Sequence, residues 1–135
     1  MKHEISIQYI AGLIDGEGSF SYIMSHRPNK TVCYSPVIAV ANQHKGVLLQ
    51  MMEFFGVGHV SGPRDRSKCY YYQVRVISDV MYVIRTVAPY LIIKQKRARD
   101  LIKVCEQRTI DLEKSYNCPY SQEFVSMVEQ YRGDI

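Results

Sequence analysis

A chain of 135 residues and 15.6 kDa has room for one ordinary domain and none for two of full size. Its 47% apolar content lets it bury a core without staples or metal, which excludes disorder. Seventeen Lys and Arg against thirteen Asp and Glu leave a net charge of +4, a mild bias toward anionic partners that decides little alone.

Apolar spacing predicts a short helix over 7–14, N-capped by Ser6 and broken by Gly16 and Gly18. Phe20, Tyr22 and Met24 then alternate with Ser19, Ser21 and Ser25, the period of a half-buried strand. After a turn at 26–30 a second strand is expected over 32–41, and a helix over 45–55 closed by Gly56 and Gly58. Strands over 57–62 and 70–77 flank the polar loop PRDRSK, and Ser78 or Asp79 caps a helix ended by Pro89. A long helix over 94–114 carries Ala98, Leu101, Ile102, Cys105 and Leu112 on one stripe, and a last helix covers 121–131. Two hairpins, each following a helix, imply an α+β domain over 1–135 with one antiparallel sheet, helices on one face, and a helical extension at about 115–135.

The longest apolar run, residues 80–93, is interrupted by Arg85 and Pro89 and is too short for a bilayer span. MKHEIS has no apolar h-region, so an intracellular protein without a membrane partner is expected. Four cysteines form no CxxC pair and no zinc-like spacing, so reduced thiols and no structural zinc are expected.

In the fourth strand Tyr70, Tyr72, Val74 and Val76 suit the core, leaving Tyr71, Gln73 and Arg75 on the other face. The first strand likewise exposes Ser19, Ser21, Ile23 and Ser25, and the basic loop residues Arg27, Lys30, Arg64, Arg66 and Lys68 stand at the strand ends. Hydroxyls, an amide and Arg beside basic loops suit base edges and phosphates, although a solvated sheet face has the same composition. A seven-residue strand covers about 23 Å, or roughly seven base pairs of a groove.

The segment IAGLIDGEG at 10–18 places Gly12 and Gly16 four apart on one helix face, bare enough for another backbone to approach. Asp15 and Glu17 stand where that helix ends, and a carboxylate beside free carbonyls is an oxygen set of the kind Mg²⁺ accepts. From these residues alone, a glycine stop followed by solvated acids is the favoured reading.

This segment closely resembles the signature of the LAGLIDADG homing endonucleases, and residues 89–96, PYLIIKQK, resemble that family's LK-x-K-Q-K region. The resemblance implies a site-specific double-stranded DNA endonuclease, homodimeric because the chain holds one motif, acting on a long pseudo-palindromic target. It implies Mg²⁺ as cofactor, with Mn²⁺ substituting and Ca²⁺ supporting binding without cleavage. Glu17 and the Gly16 carbonyl would hold the metal, Lys94 would stand near the scissile phosphate, and Gln43 would orient a water, with Asn42 as its substitute. Val47 occupies a position where some relatives are basic, so Lys45 or a water would serve there. Tyr34, Asn42 and Ser61 join the DNA-facing residues, and Ala11, Gly12, Asp15 and Gly16 form the dimer interface, Asp15 in a structural role. The resemblance also implies a gene within an intron or intein, in a prokaryotic cytoplasm or nucleoid or an organelle matrix. Two other readings on the same fold are a splicing maturase, with intron RNA as partner, and a non-cleaving DNA-binding regulator.

Overall fold

Ser6 opens the first helix, α1 (Ile7–Glu17), by accepting the Tyr9 N–H on its hydroxyl at 3.1 Å. The helix does not break at Gly16, as its glycines predict, but continues to Glu17 and turns directly into β1 (Gly18–His26). Gly18 permits that turn: its N–H bonds the Ile14 carbonyl, and a Cβ there would lie 2.8 Å from the same oxygen.

The computed structural model describes residues 4–29, 31–114 and 119–134. The order continues with β2 (Val32–Asn42), α2 (Lys45–Phe55), β3 (His59–Arg64), β4 (Cys69–Val74), α3 (Ile77–Val87), α4 (Gln95–Lys114) and α5 (Gln122–Gly133). Single 3₁₀ turns occupy Asp65–Ser67 and Ala88–Tyr90. The strands form one antiparallel sheet in the order β1-β2-β4-β3, an α+β fold of the expected kind.

Register decides which face is buried. Phe20 opposite Ile38 and Val40 opposite Tyr72 point toward the helices, with Tyr22 and Val74 on the same side. Ile10 and Ile14 of α1, Leu48 and Met51 of α2, Val83 and Ile84 of α3, Leu101 of α4 and Phe124 of α5 complete a continuous core. Burying one such side chain stabilises the fold by about 1.5–3 kcal/mol. Cys105 lies in this core, where desolvation pushes its thiol up to about 12.

Three boundaries differ from the sequence expectation, each for a local reason. Strand β3 starts at His59, two residues late, because the Tyr72 hydroxyl donates to the Val57 carbonyl at 2.7 Å and Gly58 adopts a φ of +90° against the Tyr72 ring. Strand β4 stops at Val74, so Val76 is 59% exposed rather than in the core. Val76 is instead the N-cap residue of α3, and neither Ser78 nor Asp79 caps that helix. Asp79 falls in its first turn, where a carboxylate favours the helix dipole.

The C-terminal helices tie down the β1–β2 hairpin. Strand β2 pairs with β4 from Ile38 to Asn42, which leaves its first half an open edge. Pro36 offers no N–H there, and the Tyr34 N–H donates to the Tyr120 hydroxyl at 3.1 Å, so another strand finds little to pair with. The Tyr131 hydroxyl donates to the Phe20 carbonyl at 2.8 Å in a buried site, and burial holds that hydroxyl well above the usual tyrosine range. Arg97 stacks on the Tyr131 ring and donates to the carbonyls of Tyr131 and Asp134.

Replacing Tyr131 with Phe leaves the buried Phe20 carbonyl unpaired. Urea denaturation of Tyr131→Phe should show a loss of about 1–3 kcal/mol. The same change at the half-exposed Tyr82 should cost less than about 0.5 kcal/mol.

Candidate active site and nucleic-acid interface

Asp15 joins two segments nearly eighty residues apart. Its carboxylate accepts the backbone N–H groups of Ile92 at 2.8 Å, Lys94 at 3.0 Å and Ile93 at 3.2 Å, the turn that leads into α4. In return the Lys94 ammonium donates to the Asp15 carbonyl at 2.6 Å. A cation thus sits on the last turn of α1, where the helix carbonyls lack intrahelical partners. Desolvation raises the Asp15 carboxyl, but the three N–H donors and the Lys94 charge outweigh it and hold the group below its ordinary value. Asp15 was expected at a dimer interface; its carboxylate is engaged within its own chain.

Two residues on, Glu17 ends the helix with an exposed side chain, and its Oε2 accepts from the Asn42 carboxamide at 2.8 Å. The Asn42 Oδ1 accepts the His44 N–H at 2.7 Å, and His44 Nδ1 accepts the Val47 N–H at 3.0 Å as the N-cap of α2. Asn42 therefore departs from the DNA-facing set: it shares the helix-side parity of Val40 and turns its carboxamide to Glu17 and His44. The Gln43 carboxamide donates to the Ser67 carbonyl at 3.0 Å, so the residue in contact with Glu17 is Asn42 rather than Gln43. A groove of about 440 Å³ opens beside them, lined by Ser6, Tyr9, Asn42, His44, Val47 and Gln50. Lys45 lies at the start of α2 with its ammonium 5.4 Å from the centre of the Tyr70 ring.

On the sheet face away from the helices, register aligns Ser19, Ala39, Gln73 and His59 in one row, and Ala41, Tyr71 and Ser61 in the next. Ser21 and Ser25 continue this face along β1. Arg64 extends over the Tyr71 ring at 4.7 Å and donates to the Ser61 hydroxyl at 3.4 Å. Arg75 stands one residue beyond β4, exposed, and shares an open cleft with His59 and Gln73. Arg27, Arg66 and Lys68 are exposed at the loop ends, and Lys30 lies outside the described residues. Tyr34 does not belong to this face: paired with Met24, it packs edge-on against Tyr120 and Phe124. His59 does belong to it, and the alternation that placed Ser61 could have found it.

Ala11 is 1% exposed and packs into its own core, so it has no free surface for a partner. Gly12 and Gly16 differ, since a Cβ built on either would meet nothing within 4 Å. Glycine inside a helix costs up to about 1 kcal/mol relative to alanine, and nothing within this chain requires it at those two positions.

Among the described residues no three His, Cys, Asp or Glu side chains cluster as a ready-made metal cage. One exposed carboxylate beside terminal helix carbonyls fits Mg²⁺, which takes one or two carboxylates and completes its shell with water and substrate phosphate.

A model of the LAGLIDADG endonuclease family matches residues 10–106. The DNA endonuclease I-CreI of Chlamydomonas reinhardtii is 29% identical over 105 residues, 73% of this chain and 61% of that protein. The chain thus spans less than two thirds of that relative's length. The homing endonuclease I-CvuI, solved with its DNA target in the presence of 2 mM Ca, superposes with a TM-score of 0.73 at 16% identity, over 93% of this chain and 78% of that one. I-SmaMI, bound to uncleaved DNA in the presence of calcium ions, gives a TM-score of 0.79 at 19% identity, over 98% of this chain and 45% of that one. At such identities these two likenesses concern the fold.

The depressed Asp15 carboxyl sets a pH dependence. A carboxylate held below its ordinary value of 3.8 stabilises the fold fully above that pH, and the contribution vanishes as pH falls through the folded value. Asp15→Asn should therefore lower stability at pH 7, with the gap closing below pH 3.8. Chemical denaturation of both proteins between pH 7 and pH 3 measures it.

Proposed function

The chain belongs to the LAGLIDADG endonuclease family, and on that premise we propose that it is a homing-type, site-specific double-stranded DNA endonuclease, acting as a homodimer with Mg²⁺. The observation that carries the reading is the Asp15 junction, which holds the Lys94 ammonium on the helix turn that ends in Glu17. It sets a cation on the helix turn whose next residues are Glu17 and the start of β1.

Glu17 and the Gly16 carbonyl are the groups that would hold the metal, with Mn²⁺ able to substitute and Ca²⁺ supporting binding without cleavage. Bound there, Mg²⁺ would supply Lewis acidity to the scissile phosphate and the departing 3′ oxygen. Lys94 places positive charge where negative charge develops on the phosphate, and Gln43 holds a water for in-line attack. Ser19, Ser21, Ser25, Tyr71, Gln73 and Arg75 read base edges in the major groove. Arg27, Lys30, Arg66 and Lys68 hold phosphates and fix register, while Ser61 and Arg64 border the same face.

The second copy explains the two glycines. Their bare face is continuous with the turn that Asp15 holds, where Ile92 is 87% and Ile93 75% exposed. Two α1 helices crossing at Gly12 and Gly16 would cover that apolar surface and bring the two Glu17 side chains to one central site.

Chemistry and assembly are tested separately. Glu17→Gln should reduce nicking in Mg²⁺ by at least about 100-fold while gel-shift affinity for target duplex in Ca²⁺ stays within about threefold. Full cleavage by this variant would remove the catalytic assignment.

Light scattering should give a mass near twice 15.6 kDa for the wild type. Gly12→Leu improves helix propensity and its Cβ meets nothing within 4 Å, so it should remain folded and become monomeric. A monomeric wild type, or a Gly12→Leu protein that stays dimeric, counts against the shared α1 interface.

A further inference from the structure

We infer that Asn42 is the positioning residue for Glu17, an inference that rests on the reading of Glu17 as the metal-holding carboxylate. Glu17 is exposed at a helix end, where a glutamate side chain normally samples several rotamers, and fixing it costs side-chain entropy. Here one oxygen is held: Asn42 Nδ2 donates to Oε2 at 2.8 Å, a charge-assisted bond.

The donor is itself oriented. An asparagine carboxamide can turn over, but Oδ1 faces the His44 N–H at 2.7 Å, so the amino group has to face the carboxylate. Separately, the His44 ring caps α2 by accepting the Val47 N–H, and Gly46 leaves room for that ring, since a Cβ there would lie 3.0 Å from His44 Cε1. The His44 backbone N–H thus sets the Asn42 carboxamide, which holds Oε2 and leaves Oε1 with no hydrogen bond among the described residues. Partners of metal-bound carboxylates act in this way, and losing one typically weakens metal binding by 10–100-fold. Gln43, turned to the Ser67 carbonyl, does not duplicate the contact.

The test uses the whole chain on a target duplex recovered by selection from a randomised pool. Two titrations are read: Mg²⁺ against nicking rate, and Ca²⁺ binding to the protein–duplex complex by calorimetry, which involves no turnover. Asn42→Ala should raise the half-saturating concentration of both ions by about tenfold, while the rate at saturating Mg²⁺ returns to within about threefold of wild type. His44→Ala is the matched structural control: it removes the helix cap but keeps the backbone N–H that Asn42 accepts. It should lower the melting temperature and leave both half-saturation points in place.

Unchanged half-saturation in Asn42→Ala, with Glu17 still required for cleavage, overturns the positioning role alone. An equal shift in His44→Ala overturns it as well, because loosening of α2 would then explain both. Full cleavage by Glu17→Gln removes the underlying reading and this inference together, so the two failures are told apart.

Discussion

The bond between the Asp15 carboxylate and three backbone amides is the constraint on which the arrangement depends. One side chain at the end of α1 satisfies donors at Ile92, Ile93 and Lys94, and this fixes where α4 begins relative to the signature helix. Leu91 is buried just before this turn, whereas Ile92 and Ile93 expose their side chains and are held here through their backbone amides. Lys94 completes the junction from the opposite direction by donating to the Asp15 carbonyl. A helix C-terminus, ordinarily poor surroundings for acids, thereby receives a cation on its last turn, two residues before Glu17.

The sheet divides its labour by parity. The side chains that meet α1 to α5 are mostly large and apolar, whereas the other face has Val37, Ala39 and Ala41 along β2, bordered by Ser19, Ser21, Gln73 and Tyr71. Small central residues keep that surface shallow, so the longer polar side chains on neighbouring strands reach furthest. Arg64, stacked on Tyr71, is partly ordered before any ligand arrives, which reduces the entropy lost on binding. The α4–α5 pair makes this possible from below by holding the exposed β1–β2 hairpin through Tyr120 and Tyr131.

The two classes of glycine are distinguished by their surroundings. Gly18 is required by its own chain, because a Cβ would strike the Ile14 carbonyl. Gly12 and Gly16 meet no such obstacle and weaken the helix that carries them. A local cost without a local reason is what a close helix partner would impose.

Much of this was legible in the sequence, because it depends on local rules. The motif at 10–18, the alternation of Phe20 and Tyr22 with serines, and the helical spacing at 45–55 and 94–114 each declare an element and the face it buries. Tertiary structure decided matters that periodicity does not encode. Ala11 and Gly12 are adjacent small residues in the motif, yet a 100° step around the helix buries the first and exposes the second. Tyr34 and Asn42 lie on the helix side because the β2 register, set by pairing with Val74 and Tyr72, places every second residue there. The choice of Asn42 over Gln43 as the partner of Glu17 spans 25 residues, and the Asp15 junction spans 77 to 79. Hydrogen-bond partners at such separations leave no mark on local spacing; they exist only once the core has brought the ends of α1, β2 and the turn before α4 to one place.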